Sequence, residues 1–198
     1  MHHLQDPKND WKLLAMKKIN GKVAISCAVT GAIHTPTMSD ALPYTAEDIA
    51  KQAIDAANAG AAVLHLHARN PIDGSVSLDP DHFLGFVPKI REQTNAVFNI
   101  STGGSLLTTI EDRIKQSDAI GAAMNSLNMG SMNFSFHGLV KRYKSFKFDW
   151  EKEYIENSEG YIFRNTFKDI AHVERTLGRE HRVKFEHECY DVGHLYNL

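Results

Sequence analysis

From residue 22 onward, short apolar, β-branched runs alternate with stretches in which apolar positions recur every three or four residues. That is the pattern of βα units feeding a parallel sheet. "KVAISCAV" (22–29) reads as a buried strand, and "TAEDIAKQAIDAANAG" as a helix with Thr45 as N-cap, acids in its first turn and Gly60 closing it. Next come the strand "AAVLHLHA", a helix from Asp79 to Gln93, the strand "AVFNIS", a helix across "TTIEDRIKQ" and a fourth strand within 119–127. Residues 132–165 are aromatic and charged with no single period, and read as an elaborated loop with short elements near the site or an oligomer contact. "NTFKDIAHVERTLG" reads as a helix ending at Gly178, "RVKFEHECYD" as a fifth strand and "GHLYNL" as the start of a further element.

Strands of this kind belong either to an open doubly wound sheet or to an eight-stranded (β/α) barrel. No GxGxxG follows the first strand, and the glycine pair after the third lacks the rest of a P-loop, so the barrel is preferred. A barrel usually takes about 250 residues, against the 198 present. The expectation is therefore α/β, the first five or so βα units of a (β/α)8 TIM barrel plus an inserted segment. Residues 1–21 read as an N-terminal extension, with Met16 an alternative start, and 22–198 as a barrel domain incomplete at its C-terminus.

Composition narrows the partners. At 42% hydrophobic the chain can bury a substantial core, and 22 Lys plus Arg against 24 Asp plus Glu leave no basic stripe for nucleic acid and no polybasic segment for a membrane. No run approaches a signal-peptide core or the roughly 20 apolar residues of a membrane span, so a cytoplasmic protein with small-molecule partners is expected. Cys27 and Cys189, each in an apolar run, read as reduced and buried.

Candidate chemistry clusters at the strand ends. In "GAAVLHLHARNPIDG" (60–74), His65 and His67 are two apart on a strand and so project from one face, either as metal ligands or as hydrogen-bonded pocket histidines. "NISTGGS" (99–105) supplies Ser101 and Thr102 before Gly103 and Gly104, either a cradle for a carboxylate or phosphate or a tight turn. Ser126 and Asn128 end the fourth strand on one face, where the asparagine contacts a ligand or holds the loop. Glu186 and Glu188 share a face of the fifth strand, with His187 on the other, and a carboxylate there is a base, a metal ligand or half of a salt bridge. Arg69 either forms an ion pair below the site or meets an anionic substrate, and His34 reads as a solvated loop residue.

The segments "TGAIHTPTMSDALPYTAEDIA", "GAAVLHLHAR", "NISTGG", "SLNMGSMNF", "FRNTF" and "FEHECYDVGHLYNL" resemble the β-keto acid cleavage enzymes, relatives of 3-keto-5-aminohexanoate cleavage enzyme. The resemblance runs from about residue 22 to the last residue. It implies a (β/α)8 barrel assembled as a homo-oligomer, with zinc or another divalent metal, and acetyl-CoA as co-substrate: β-keto acid plus acetyl-CoA gives acetoacetate plus a new acyl-CoA. It further implies that His65 and His67 are metal ligands, that Ser101 and Gly104 hold the substrate carboxylate, that Ser126 and Asn128 make further substrate contacts, and that Glu188 serves in proton handling or positioning. Two departures stand out. The founding activity has a glutamate, suited to a substrate amine, on the loop that here reads Gly31-Ala32-Ile33-His34. The third metal ligand lies in a late Arg-Val-Gly-x-Glu-Asp motif, whose arginine and aspartate also act in proton abstraction, and this sequence does not contain it. Weak or absent turnover by these 198 residues alone is the resulting expectation. The alternatives are an inactive or partner-dependent barrel fragment, or another zinc-dependent barrel lyase or aldolase.

Overall fold

The structure, a computed structural model, describes residues 21–103 and 108–198. Apart from Gly21, the expected N-terminal extension lies outside the described residues, as does Gly104.

Along the chain, β1 (Ser26–Ala28) is followed by a long loop and α1 (Ala46–Asn58), whose N-cap Thr45 accepts from the Asp48 N–H. β2 (Val63–Leu66) runs into β3 (Ala68–Arg69), which pairs antiparallel with β4 (Val76–Ser77). Then come α2 (Pro80–Leu84), α3 (Val87–Gln93), β5 (Val97–Ile100), α4 (Ile110–Ile120) and β6 (Met124–Asn128). β7 (Met132–Asn133) and β8 (Ile162–Phe163) pair antiparallel across a segment that holds a 3-10 turn (His137–Arg142) and α5 (Asp149–Asn157). α6 (Phe167–Val173) passes into a π-helical turn (Glu174–Glu180) before β9 (Lys184–Glu188) and α7 (Val192–Asn197).

The main sheet has five strands, all parallel, in the order β1-β2-β5-β6-β9. Consecutive order without reversal is that of a barrel wall, whereas a doubly wound sheet turns back at a switch point. Burial agrees. Leu64, Leu66, Phe98 and Ile100 pack with Ile49, Ala53, Phe83, Phe86 and Ile90 from α1, α2, α3 and the turn joining the last two. Leu127 packs with Ile110, Ile114, Ile170, Val173 and Leu177 from α4, α6 and the π turn. The helices thus cover one face of a curled half-barrel, and the alternate strand residues face the other way.

Several expected boundaries move for identifiable reasons. The single helix expected over Asp79–Gln93 is two, because Pro88 has no N–H and its ring would crowd the Leu84 carbonyl. The fourth strand starts at Met124 because α4 runs to Ile120 and Gly121, at φ 63°, caps it. Gly178 does not end its helix: a Cβ there would meet the Phe185 ring at 2.9 Å, so close packing requires the glycine. The β3–β4 hairpin lies between the second strand and the helix that follows it, where no element was expected. Cys27 and Cys189 are free and half-buried rather than buried. No helix among the described residues is long and apolar enough to cross a membrane.

Candidate active site

The pleat that sends Leu64 and Leu66 to the helices sends His65 and His67 to the opposite, concave face. Register extends this across the sheet: His65 pairs with Asn99, Ser126 with Glu186 and Asn128 with Glu188. The Ser101 N–H donates to the Leu66 carbonyl at 3.1 Å, carrying the ladder one residue past β5. The concave face is therefore built from His65, His67, Asn99, Ser101, Ser126, Asn128, Glu186 and Glu188.

The two imidazole centroids lie 4.7 Å apart, inclined at 47°. Burial pushes His67 down to about 3, with repulsion from His65 and Arg69 adding to it. Burial also lowers His65, against the opposing pull of Glu188 and Glu186. Both rings are neutral at pH 7, and His67 Nδ1 is buried without a hydrogen-bond partner among the described residues. A neutral imidazole with a ring nitrogen left unshared and shielded from water offers the donor chemistry a divalent cation takes. The pair fits a metal in that sense. Among the described residues no group of three or more His, Cys, Asp or Glu side chains is disposed to hold an ion, so the pair offers part of the three-ligand set usual at catalytic zinc.

Around the pair, Asn99 Nδ2 donates to the Glu186 carboxylate and lies 3.2 Å from His65 Nδ1. The Oδ1 atoms of Asn99 and Asn128 are buried without partners among the described residues. Buried polar atoms are normally paired, and three orphans on one concave face mark a surface shaped for something else to bind. Glu188 accepts a 3.0 Å hydrogen bond from the Tyr190 hydroxyl, whose own ionisation is pushed up to about 12 by burial and then by Glu188 and Glu186.

The Ser101 turn is held from behind. Gln116 donates to the Ser101 carbonyl at 3.1 Å and Arg113 Nε to the Thr102 carbonyl at 2.7 Å. A trans peptide sets its C=O and N–H in opposite directions, so tying the Ser101 carbonyl to α4 turns the Thr102 N–H away from that helix. Ser101 Oγ accepts from the Gly103 N–H at 3.1 Å, and the Thr102 hydroxyl donates to the Ser126 carbonyl at 2.6 Å.

Fold and site together meet a match to a known family: the model for the beta-keto acid cleavage enzymes matches residues 22–198. The chain belongs to that family. It is 48% identical over 177 residues to "3,5-dioxohexanoate:acetyl-CoA acetone transferase" of Paraburkholderia graminis, an alignment covering 89% of this chain and 57% of the relative. It is 32% identical over 154 residues to "3-keto-5-aminohexanoate cleavage enzyme" of Acetoanaerobium sticklandii, covering 76% and 56%. The chain thus spans about half the length of the curated relatives it matches. One relative is thus named as a transferase that uses acetyl-CoA and the other as a keto-acid cleavage enzyme. Among solved structures, apo ObcA shares the fold, with a TM-score of 0.57 at 20% identity over 80% of this chain and 32% of ObcA.

In this β-keto acid cleavage family member, the sheet brings His65, His67, Ser101, Ser126, Asn128 and Glu188 to one face, while Gly104 lies outside the described residues. His34 is exposed, as expected. Arg69 follows neither expectation in full: it is 2% exposed and has no carboxylate partner among the described residues. Asn99 and Tyr190 were missed. Asn99 had a usable signal, since it sits two residues before Ser101 and must share its face.

Proposed function

We propose that the protein is a metal-dependent β-keto acid cleavage enzyme acting on a β-keto acid and acetyl-CoA. The observation that carries this is the neutral His65/His67 pair with an unshared buried nitrogen, on the same face as the Ser101 turn and the Glu186/Glu188 carboxylates. Zinc or another divalent cation held by His65 and His67 would supply Lewis-acid polarisation of the substrate ketone and make charge on its oxygen tolerable. Ser101 and Gly104 would seat the carboxylate, and Ser126 and Asn128 would orient the remaining polar atoms. Glu188, steadied by Tyr190, takes part in moving the C2 proton. The substrate carbon that loses this proton attacks the acetyl thioester and expels CoA. CoA then adds to the original ketone, and C–C cleavage releases acetoacetate and a new acyl-CoA.

The loop after β1 carries no carboxylate at 31–34, so it offers nothing to neutralise a substrate amine. A keto acid with a neutral, ketone-bearing tail fits better, in keeping with the name of the Paraburkholderia relative. We also propose a homo-oligomeric assembly and weak turnover for these 198 residues alone, because the described residues supply two of the expected three metal ligands. Calorimetric titration of Zn²⁺ tests the site: 1:1 binding abolished by His67→Gln is expected, and a wild-type chain that takes up no zinc ends the metal reading. Acetoacetate formation from a β-keto acid and acetyl-CoA at an ordinary enzymatic rate by this chain would overturn the expectation of weak turnover.

A further inference from the structure

Two residues beyond His67, Arg69 lies in β3, close enough to His67 for its charge to be felt there. Arg69 is 2% exposed, yet every acceptor it meets among the described residues is neutral. Its Nε donates to the Thr30 hydroxyl at 2.8 Å, its Nη1 to the Gly74 carbonyl at 2.8 Å, and its Nη2 to the carbonyls of Gly31 at 2.8 Å and Thr30 at 3.5 Å. Two of these carbonyls belong to glycines in the left-handed region, Gly31 at φ 66° and Gly74 at φ 70°. The loop after β1 and the β3–β4 turn are thus bent in conformations that favour glycine, and each aims a carbonyl at one guanidinium.

Those dipoles engage four of the five guanidinium N–H groups but leave its net charge in place. The ionisable groups that face it are His67, an imidazole that carries no negative charge, and Tyr154, whose phenol is pushed up to about 12 and is neutral at pH 7. A buried cation without a counter-ion is costly, and side chains that carry one are normally paired. With most of the fork spent on the Thr30 hydroxyl and on backbone carbonyls, no bidentate face is left for an anion. Its charge still acts across a low-dielectric interior on whatever occupies the neighbouring face.

We propose that Arg69 is a positioning residue whose fixed, uncompensated positive charge selects an anionic ligand, a carboxylate or an enolate, on the concave face beside His67. This rests on the keto-acid reading above. Acetoacetate and its neutral methyl ester, titrated calorimetrically into wild type and variants at pH 7, provide the test. Arg69→Gln keeps donors for the carbonyls and removes the charge, and Arg69→Lys keeps the charge. The expected result is an acetoacetate affinity weaker by roughly tenfold or more in Arg69→Gln and largely kept in Arg69→Lys, with the ester unchanged throughout. Equal loss of both ligands in Arg69→Gln means a structural role and overturns the proposal. In the wild type alone, preference for the acid over the ester should persist at about 0.5 M KCl, where exposed charges are screened within a few ångströms. A preference that vanishes there belongs to surface charge and overturns the proposal even if both variants fail to fold. Wild-type protein that binds neither ligand fails the keto-acid reading itself.

Discussion

A histidine pair that the fold keeps unprotonated lowers the protein's resistance to acid. In the unfolded chain His67 takes a proton near pH 6.5, whereas in the folded protein it resists protonation down to about 3. Between those values the unfolded state binds the extra proton, so stability falls as pH drops through that window. His67 alone then costs about 2 kcal/mol at pH 5 relative to pH 7. Urea unfolding at the two pH values should show His67→Gln losing less stability than wild type by about that amount. Equal losses would mean that the imidazole protonates in place. The same burial that makes the ring acid-sensitive keeps its lone pair available at neutral pH, so the stability effect and the donor chemistry are one property.

At the scale of elements, α7 shows how a short segment is held. Six residues are too few for a helix to persist alone, and docking forms it: Asn197 Nδ2 donates to the Met129 carbonyl at 2.7 Å, and His194, 4% exposed, lies against the loop after β6. A Cβ on Gly130 would collide with the His194 ring. Gly130→Ala is therefore predicted to undock α7, seen as faster amide exchange over 192–197 and a loss of about 1–3 kcal/mol. Zinc affinity should not change, since the histidine pair lies on another strand. Local signals made α1 and α4 legible in the sequence: Thr45 and Thr109 each accept from a backbone N–H three residues on. The period of two made the shared face of His65 and His67 legible as well. The 132–165 segment was not readable, because distant partners order it: Glu151, fully buried, accepts from the N–H and hydroxyl of Thr37, and Trp150 donates to the Asp73 carbonyl. The surroundings of Asn99 and Arg69 stayed hidden for the same reason, since no local pattern reports a partner such as Glu186 or Gly31.

For the molecule as a whole, the decisive feature is a parallel sheet that helices pack against on one face and that stays open at both edges among the described residues. Parallel sheets are ordinarily covered on both faces or closed into barrels. Among the described residues, β1 and β9 each have one unpaired edge, and such edges are templates for another strand. Beside β9, α7 exposes Val192 (69%), Leu195 (61%) and Tyr196 (88%), and Val23 (84%) stands just before β1. Exposed apolar groups next to free backbone donors and acceptors favour association, both by removing apolar area from water and by pairing the edges. The 198-residue protein is therefore predicted to self-associate with rising concentration in sedimentation velocity. The double substitution Leu195→Glu and Tyr196→Lys, on side chains that point to solvent, should shift it toward monomer while leaving Zn²⁺ binding intact. Wild type that sediments as a monomer at every accessible concentration would show that the edges are protected without a partner. Association that survives the double substitution would place the contact at the β1 edge instead.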